Sequence, residues 1–464
     1  MARSASPGLS LVSVLRLGLF QACLGCLAVI FSGMLNRVML SELAFPGLLV
    51  GGALAFEQFV APARVLFGQI SDAHPIAGRR RVPYVLCGAA CFCLLAVLSV
   101  PLTFHVARLF ADGAQPALGL GIAALCGLYA LYGLSVSLAS TPYLALVIDR
   151  TGEAERPRAV GIIWCMLTVG IVIGAIAIAM SLRSLDGVSE PALLEPALLR
   201  FMIGVAVVVW SLTLVAVWGM EPRRSSGAEA PTAPREDSVT LRQAWALITS
   251  SRQVLIFFAF LVLFTLGLFL QDPVLESYGA QVFAMPIAAT TQLNAFWGLG
   301  TLGGLLLAGM AIVPRLGKLA TARLGCQLIA LSLLMLILCG LSRSVPLLKL
   351  VLLLFGLAAG IGTNSALCLM LDLTLPQATG TFVGVWGLAQ ALSRALGKLV
   401  GGGLYDLGRL LPFSEGPYPA FALVLGVELL VALSALLLLD RVNVRQFRED
   451  TDQGLRRVLA MELE

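Results

Sequence analysis

Charge is the scarcest ingredient of this chain: Asp, Glu, Lys and Arg make up 12% of its 464 residues, about half the share in an ordinary globular domain. Histidine is scarcer still. The two residues, His74 and His105, lie in or beside hydrophilic stretches, which leaves little for a histidine metal centre or for histidine acid–base catalysis. No P-loop occurs, so nothing points to ATP-driven transport. No pair of loop aspartates has the D-x-x-x-D spacing with which a membrane prenyltransferase holds magnesium diphosphate. The sequence therefore predicts a protein that is not an enzyme. Cysteine is missing from the hydrophilic loops. All ten cysteines fall in apolar runs, and the Cys23-x-x-Cys26 pair reads as packing rather than as metal or redox chemistry.

What fills the chain is apolar. Hydrophobic residues account for 59% and the mean hydropathy is +0.94. A helix needs about 20 mainly apolar residues to cross the hydrocarbon core. Twelve such runs can be drawn: 14–35, 47–68, 82–104, 117–142, 158–180, 199–219, 253–270, 287–313, 323–342, 346–371, 380–403 and 419–439. The fold class is thus an all-α integral membrane protein with twelve transmembrane helices, and the lipid bilayer is its first partner. The first run continues as a full span without a small-residue cleavage site, so no cleaved signal peptide is expected. An even number of spans places both termini on one side. Most of the 31 Lys and Arg residues fall on that side, in loops 69–81, 143–157, 220–252 and 314–322 and in the tails. Both termini are therefore expected to be cytoplasmic. The +5 net charge sits in these flanking loops and gives no reason to expect nucleic acid.

The Pro/Ala/Ser-rich segment EPRRSSGAEAPTAPREDS (221–238) has the composition of a flexible linker and divides the spans six and six. The expected division is an N-terminal six-helix bundle over 1–220, a cytoplasmic linker over 221–252, a C-terminal bundle over 253–439 and a cytoplasmic tail over 440–464. An internal repeat supports it. A shift of 223 residues lays LYGL (131–134) on LFGL (354–357), Asp149 on Asp372, Thr151 on Thr374 and Gly174 on Gly397. Duplicated six-span halves are the major-facilitator arrangement.

The stretch from Glu57 to Tyr84, EQFVAPARVLFGQISDAHPIAGRRRVPY, resembles the loop 2–3 signature of the major facilitator superfamily. Gly68 is placed to let helix ends approach. Asp72 is expected to face the N-terminus of span eleven, and Arg80 or Arg81 to approach Asp149 at the end of span four. Ionisable residues inside spans are costly enough to be candidates for function. Glu57 and Arg394 lie near mid-bilayer and are expected to pair, with Glu428 as the competing partner for Arg394. Arg64 and Lys398 are close enough to span ends to snorkel.

Four further stretches resemble the PucC/LhaA bacteriochlorophyll-delivery family within that superfamily. LFQACLGCLAVIFSGMLNRVMLSEL (19–43) is similar to its first span, with Asn36 and Arg37 in the motif. VAPARVLFGQISDAHPIAGRRRVPY (60–84) and VWGLAQALSRALGKLVGGGLYDLGR (385–409) match further runs. LQDPVLESYGAQVFAMPIAATTQLNAFWGLGTLGG (270–304) carries the most specific block, with Gln271, Asp272, Glu276 and Tyr278. The resemblance implies an assembly factor, in a photosynthetic or cytoplasmic membrane, that binds or delivers chlorophyll or bacteriochlorophyll. Its partners would be light-harvesting or photosystem antenna subunits. The alternatives are an ordinary proton-coupled secondary transporter of a small amphipathic substrate and a membrane scaffold with no ligand. Pigment magnesium takes an axial N or O ligand, and no histidine lies deep in a span. The candidate side-chain ligands are Gln58, Asn294, Asn364 and Gln390.

Overall fold

The computed structural model describes residues 10–113, 115–151, 156–182, 190–221, 252–372, 379–410 and 416–442, nearly all of them helical. Eight helices among these residues are long and apolar enough to cross a membrane, and three shorter apolar helices accompany them. Helix is the form an apolar segment takes in lipid, because it satisfies every backbone N–H and C=O within the segment. The chain is a multi-pass membrane protein, with a helix at the place of each of the twelve apolar runs.

It divides into two compact units. The first comprises Met1–Ala230 together with Pro273–Ala295, the second Pro231–Asp272 together with Phe296–Glu464. The first unit holds α1 (Leu11–Glu42), α2 (Gly47–Phe59), α3 (Ala63–Ala73), α4 (Val82–Asp112), α5 (Gln115–Arg150), α6 (Arg156–Ser181) and α7 (Pro191–Val217). Next come α8 (Arg252–Phe269) of the second unit and the short α9 (Leu275–Phe283) of the first. The remaining helices are α10 (Ile287–Leu307), which starts in the first unit's share of the chain, then α11 (Lys318–Ser342), α12 (Val345–Asp372), α13 (Thr379–Arg409) and α14 (Tyr418–Leu439). The hydropathy reading sets 253–439 as one bundle. By its contacts the segment 273–295 groups with the first unit, and α9 buries Leu275 through Gly279.

Two local departures from the apolar runs have plain causes. The run 47–68 is two helices, α2 and α3, because Pro62 has no N–H to donate and its ring crowds the preceding turn. The chain crosses the gap on short-range bonds, Ala61 N to Gln58 O at 3.0 Å and Ala63 N to Val60 O at 3.0 Å. In α1, the stretches Ala28–Met34 and Val38–Glu42 are π-helical, a widening often found at functional sites.

The internal repeat has a structural meaning in each unit. Gly133 of α5 lies against the backbone of Glu57 on α2, so closely that a Cβ would strike the Glu57 carbonyl. Its repeat partner Gly356 on α12 lies in the same way against the Trp297 carbonyl of α10. The second repeated pair does likewise: Gly174 of α6 packs on Cys26 of α1, and Gly397 of α13 on Phe269 of α8. Small residues let helix backbones meet, which is how helices associate in lipid. Gly68, by contrast, makes no unusually close approach; a Cβ there would meet Thr141 Cγ2 at 3.5 Å, an ordinary contact.

These crossings make a graded test. Gly133→Ala and Gly356→Ala are each expected to destabilise the protein by about 1–3 kcal/mol through overpacking. Gly127→Ala, on the same α5 but with nothing within 4 Å of a new Cβ, should leave the melting temperature unchanged or slightly raised. Thermal unfolding of the purified variants in detergent checks the order; equal melting temperatures for all three would show that the crossings tolerate a methyl group.

Candidate functional site

The widened part of α1 and the segment 273–295 form a buried polar cluster in the first unit. Arg37, 5% exposed, sits between the two π-helical stretches of α1. Its Nη1 donates to Thr290 Oγ1 at 2.7 Å, and its Nη2 to the Met285 carbonyl at 3.2 Å and to Glu42 Oε1 at 3.3 Å. The Met285 carbonyl is presented by a left-handed turn at Ala284 that ends α9, with Met285 N bonded back to Gly279 O. One guanidinium thus joins the end of α1, the exit of α9 and the first turn of α10.

Glu276 lies a turn away, in the first turn of α9, where a helix favours a negative group. It is 2% exposed and accepts a short hydrogen bond from Asn294 Nδ2. Gly33 on α1 makes room for it, since a Cβ there would overlap the Glu276 carboxylate. Tyr278 is buried edge-on against Phe283, and Gln281 Nε2 reaches Ser41 Oγ at 3.3 Å. Asn36 is buried beside Arg37. The family-motif residues Asn36, Arg37, Glu276 and Tyr278 are therefore brought into one unit although about 240 residues separate the two motifs in sequence.

Gln271 and Asp272, the other two residues of that block, belong to the second unit. Glu428 of α14, fully buried, accepts from Leu270 N at 3.2 Å and, with the Gln271 amide oriented to satisfy both its atoms, from Gln271 Nε2 at 2.6 Å. Lys398 Nζ lies 3.5 Å from Asp272 Oδ2. Arg394 stands over the Phe269 ring, 4.6 Å from its centre. Three charged side chains of α13 and α14 thus converge on the end of α8. Glu428 is engaged with backbone and amide there.

Around loop 69–81, one of the expected approaches, that of Arg81 to Asp149, is present. Arg81 Nε lies 3.2 Å from Asp149 Oδ2, and its Nη1 donates to Ser71 Oγ at 2.8 Å. Arg80 contributes its backbone N–H instead. The residue that sequence reasoning missed is Glu221. Its carboxylate accepts from the backbone N–H groups of Arg80 at 2.6 Å, Arg81 at 3.0 Å and Val82 at 2.8 Å, capping the free N-terminus of α4. The available signal was an acidic residue at the end of span six, on the same side as a helix starting Arg-Val-Pro with no capping side chain of its own. Asp72 lies on α3, but its side chain falls outside the described residues, as do those of Asp372 and Thr374.

Of the four amides proposed as pigment ligands, Asn294 is committed to Glu276. Asn364 Nδ2 donates to the Leu305 carbonyl at 3.3 Å while its Oδ1 accepts from Cys368. Gln58 and Gln390 are half-buried, in the first and second units respectively. Glu57 falls in the first unit and Arg394 in the second. Within its own unit the Glu57 carboxylate has Ser32 Oγ at 3.5 Å.

A model of the PUCC protein family matches residues 34–447. The chain is 31% identical over 414 residues to an uncharacterized protein of the puhA–bchM intergenic region of Rhodobacter capsulatus, covering 88% of this chain and 82% of that one. It is 30% identical to Protein PucC of Cereibacter sphaeroides, covering 94% of each. It is 32% identical to the "bacteriochlorophyll synthase 44.5 kDa chain" of Rhodobacter capsulatus, covering 91% and 94%. Among solved structures, the nucleoside transporter NupG superposes with a TM-score of 0.66 at 12% identity, over 92% of this chain and 98% of that one. An inward-facing bacterial homologue of the iron transporter ferroportin gives 0.65 at 15% identity, over 94% and 99%. At such identities the likeness is one of fold, the major-facilitator fold of twelve helices in two six-helix bundles.

Two substitutions test what holds the first unit. Arg37→Ala strips a buried cluster of its shared donor and is expected to cost about 3–5 kcal/mol. Glu221→Ala frees three helix N–H groups near the surface and should cost about 1–2 kcal/mol. Thermal unfolding in detergent measures both. A melting temperature for Arg37→Ala within one degree or so of the parent would mean that α9 is held by its apolar contacts alone.

Proposed function

The chain belongs to the PUCC protein family, and from that premise we propose that it is a membrane assembly factor for light-harvesting or photosystem antenna complexes, one that binds or delivers chlorophyll or bacteriochlorophyll. The observation that carries the reading is the family match over nearly the whole chain, joined to a buried cluster built from the motif residues Asn36, Arg37, Glu276 and Tyr278. Relatives named PucC, and one named a bacteriochlorophyll synthase chain, support the photosynthetic setting.

A pigment carrier must offer the magnesium a ligand and keep the macrocycle out of water. Gln58 and Gln390 suit that task better than Asn294 and Asn364, whose amides hold helices together. The salt bridge of Arg81 with Asp149 and the Glu221 cap hold the ends of α3, α4, α5 and α7 at one face of the first unit. In this reading they brace that unit while pigment is loaded and released.

Deleting the gene in its host tests the reading. The expected result is a loss of assembled antenna pigment–protein complexes, measured by membrane absorption spectra, with free pigment synthesis continuing. Full antenna levels in the deletion strain would overturn it. In the purified chain, Gln58→Leu combined with Gln390→Leu should lower co-purifying pigment several-fold, while retained pigment would remove these two amides as ligands.

A further inference from the structure

The outward-facing apolar stripe of α7 ends in an indole. Val208, Leu212 and Val215 are exposed along one face of the helix, and Trp218, just past its end, is 75% exposed. A tryptophan at the end of such a stripe marks the boundary between hydrocarbon and headgroups. The chain turns there. Trp218 N still bonds to Leu214 O, but its own backbone is extended, Gly219 is left-handed at φ +69°, and Met220 N returns to Val217 O at 3.1 Å. The turn leaves the Trp218 carbonyl outside the helix ladder and delivers Glu221 to the start of α4.

Arginines gather round this turn. Arg16 Nη2 of α1 donates to the Trp218 carbonyl at 2.6 Å, and Glu221 holds the backbone N–H groups of Arg80 and Arg81. Arg79 precedes them, in a tight turn where it exchanges backbone hydrogen bonds with Ile76 at 2.8 and 3.0 Å. Arg81 has a carboxylate of its own, Asp149. Among the described residues, no carboxylate lies within ion-pairing distance of the Arg16, Arg79 or Arg80 guanidinium. Glu221 does not neutralise them by contact, because its oxygens are taken up by backbone N–H groups. The Nε atoms of Arg16 and Arg79 are shielded from solvent and donate to no acceptor, a costly state for a charged donor.

We propose that this edge of the first unit binds the phosphate of an anionic phospholipid headgroup, held by Arg16, Arg79 and Arg80, with Trp218 at the level of the lipid's glycerol and the acyl chains against Val215 and Leu212. The planar fork of arginine matches phosphate oxygens in pairs, which a single ammonium does not. Basic groups beside an anionic leaflet are drawn to it, and here a fixed turn gives three of them a common point. The bilayer presents phosphate at the depth of the indole, which favours the lipid over free phosphate as the occupant. The inference is independent of pigment handling.

The test uses the purified full chain in nanodiscs of phosphatidylcholine with graded phosphatidylglycerol, one lipid at a time carrying bromine on its acyl chains to quench indole fluorescence by contact. The share of Trp218 is the difference between the parent and Trp218→Phe. Brominated phosphatidylglycerol is expected to quench that share at an about fivefold lower mole fraction than brominated phosphatidylcholine. Arg79→Gln combined with Arg80→Gln leaves in place the N–H groups that Glu221 holds and should abolish the preference. Arg79→Lys with Arg80→Lys keeps the charge without the fork and should retain part of it. Where the Gln pair does not fold, Arg16→Gln, which touches neither the loop nor the cap, should lower the preference. Equal quenching by the two lipids in the parent, a preference unchanged in the Gln variants, or full preference in the Lys pair would overturn the site. Sodium phosphate should relieve the preference no more than sodium chloride of equal ionic strength; stronger relief would overturn the lipid in favour of free phosphate.

Discussion

Backbone contact at glycine is the constraint on which the rest of each unit depends. Gly133 against the Glu57 carbonyl, and Gly356 against the Trp297 carbonyl, bring two helices of each unit together with no side chain between them. In lipid there is no hydrophobic drive to press helices together, so such close approach, with the dispersion it gains, has to supply the association. Once these crossings are set, the depth and facing of the neighbouring side chains follow. Phe31 can stack on Tyr132 because Tyr132 adjoins the clamped Gly133. The Phe269 ring can meet Trp297 at 6.0 Å because Trp297 is the residue whose carbonyl Gly356 touches.

The repeat preserves the crossing and changes what it carries. At the residue touched by the glycine, the first unit has Glu57 and the second has Trp297. Around Glu57 stand hydroxyls and rings. Beside Trp297 stands the Phe269 ring, over which Arg394 lies. The second unit gathers its ionisable side chains at the end of α8: Lys398 lies beside the Asp272 carboxylate, and Glu428 shares the Leu270 N–H with the Leu266 carbonyl. Mid-membrane carboxylates can therefore differ in kind within one fold. Glu428 accepts from the buried Leu270 N–H, whereas Glu57 has a side-chain hydroxyl, that of Ser32, at 3.5 Å.

Much of this was legible in the sequence, for physical reasons that can be named. Hydropathy marks a span because lipid solvates only apolar surface, and each expected run is matched by helix. The repeated glycines were visible as a 223-residue offset, and the salt bridge of Arg81 with Asp149 followed from a basic loop facing an acidic helix end. What stayed hidden depends on information that composition does not carry. Pro62 breaks its span because one N–H is missing, while Pro101 and Pro142 sit inside continuous helices, so the residue alone does not decide. The π-helical stretches of α1 have the same apolar letters as ordinary helix. The hydrogen bonds of Arg37 to Thr290 and to a turned carbonyl at Met285 are a long-range fit with no local signature.

Glu221 shows why a capping group escapes pattern reading. The usual search looks for a cap just before the helix, but here the acceptor arrives from the end of α7, about 140 residues away in sequence, and binds three successive N–H groups. The arrangement follows from α4 beginning with consecutive arginines and a proline at its second position: none of those side chains can accept a backbone hydrogen bond, so the acceptor has to come from another helix. The same logic runs through Arg37 and Glu428, each of which satisfies a backbone group of a segment far from it in sequence. Arg37, Glu221 and Glu428 thus serve backbone groups of distant segments, while Glu57 faces side chains, with the Ser32 hydroxyl at 3.5 Å and the Arg64 charge within electrostatic reach.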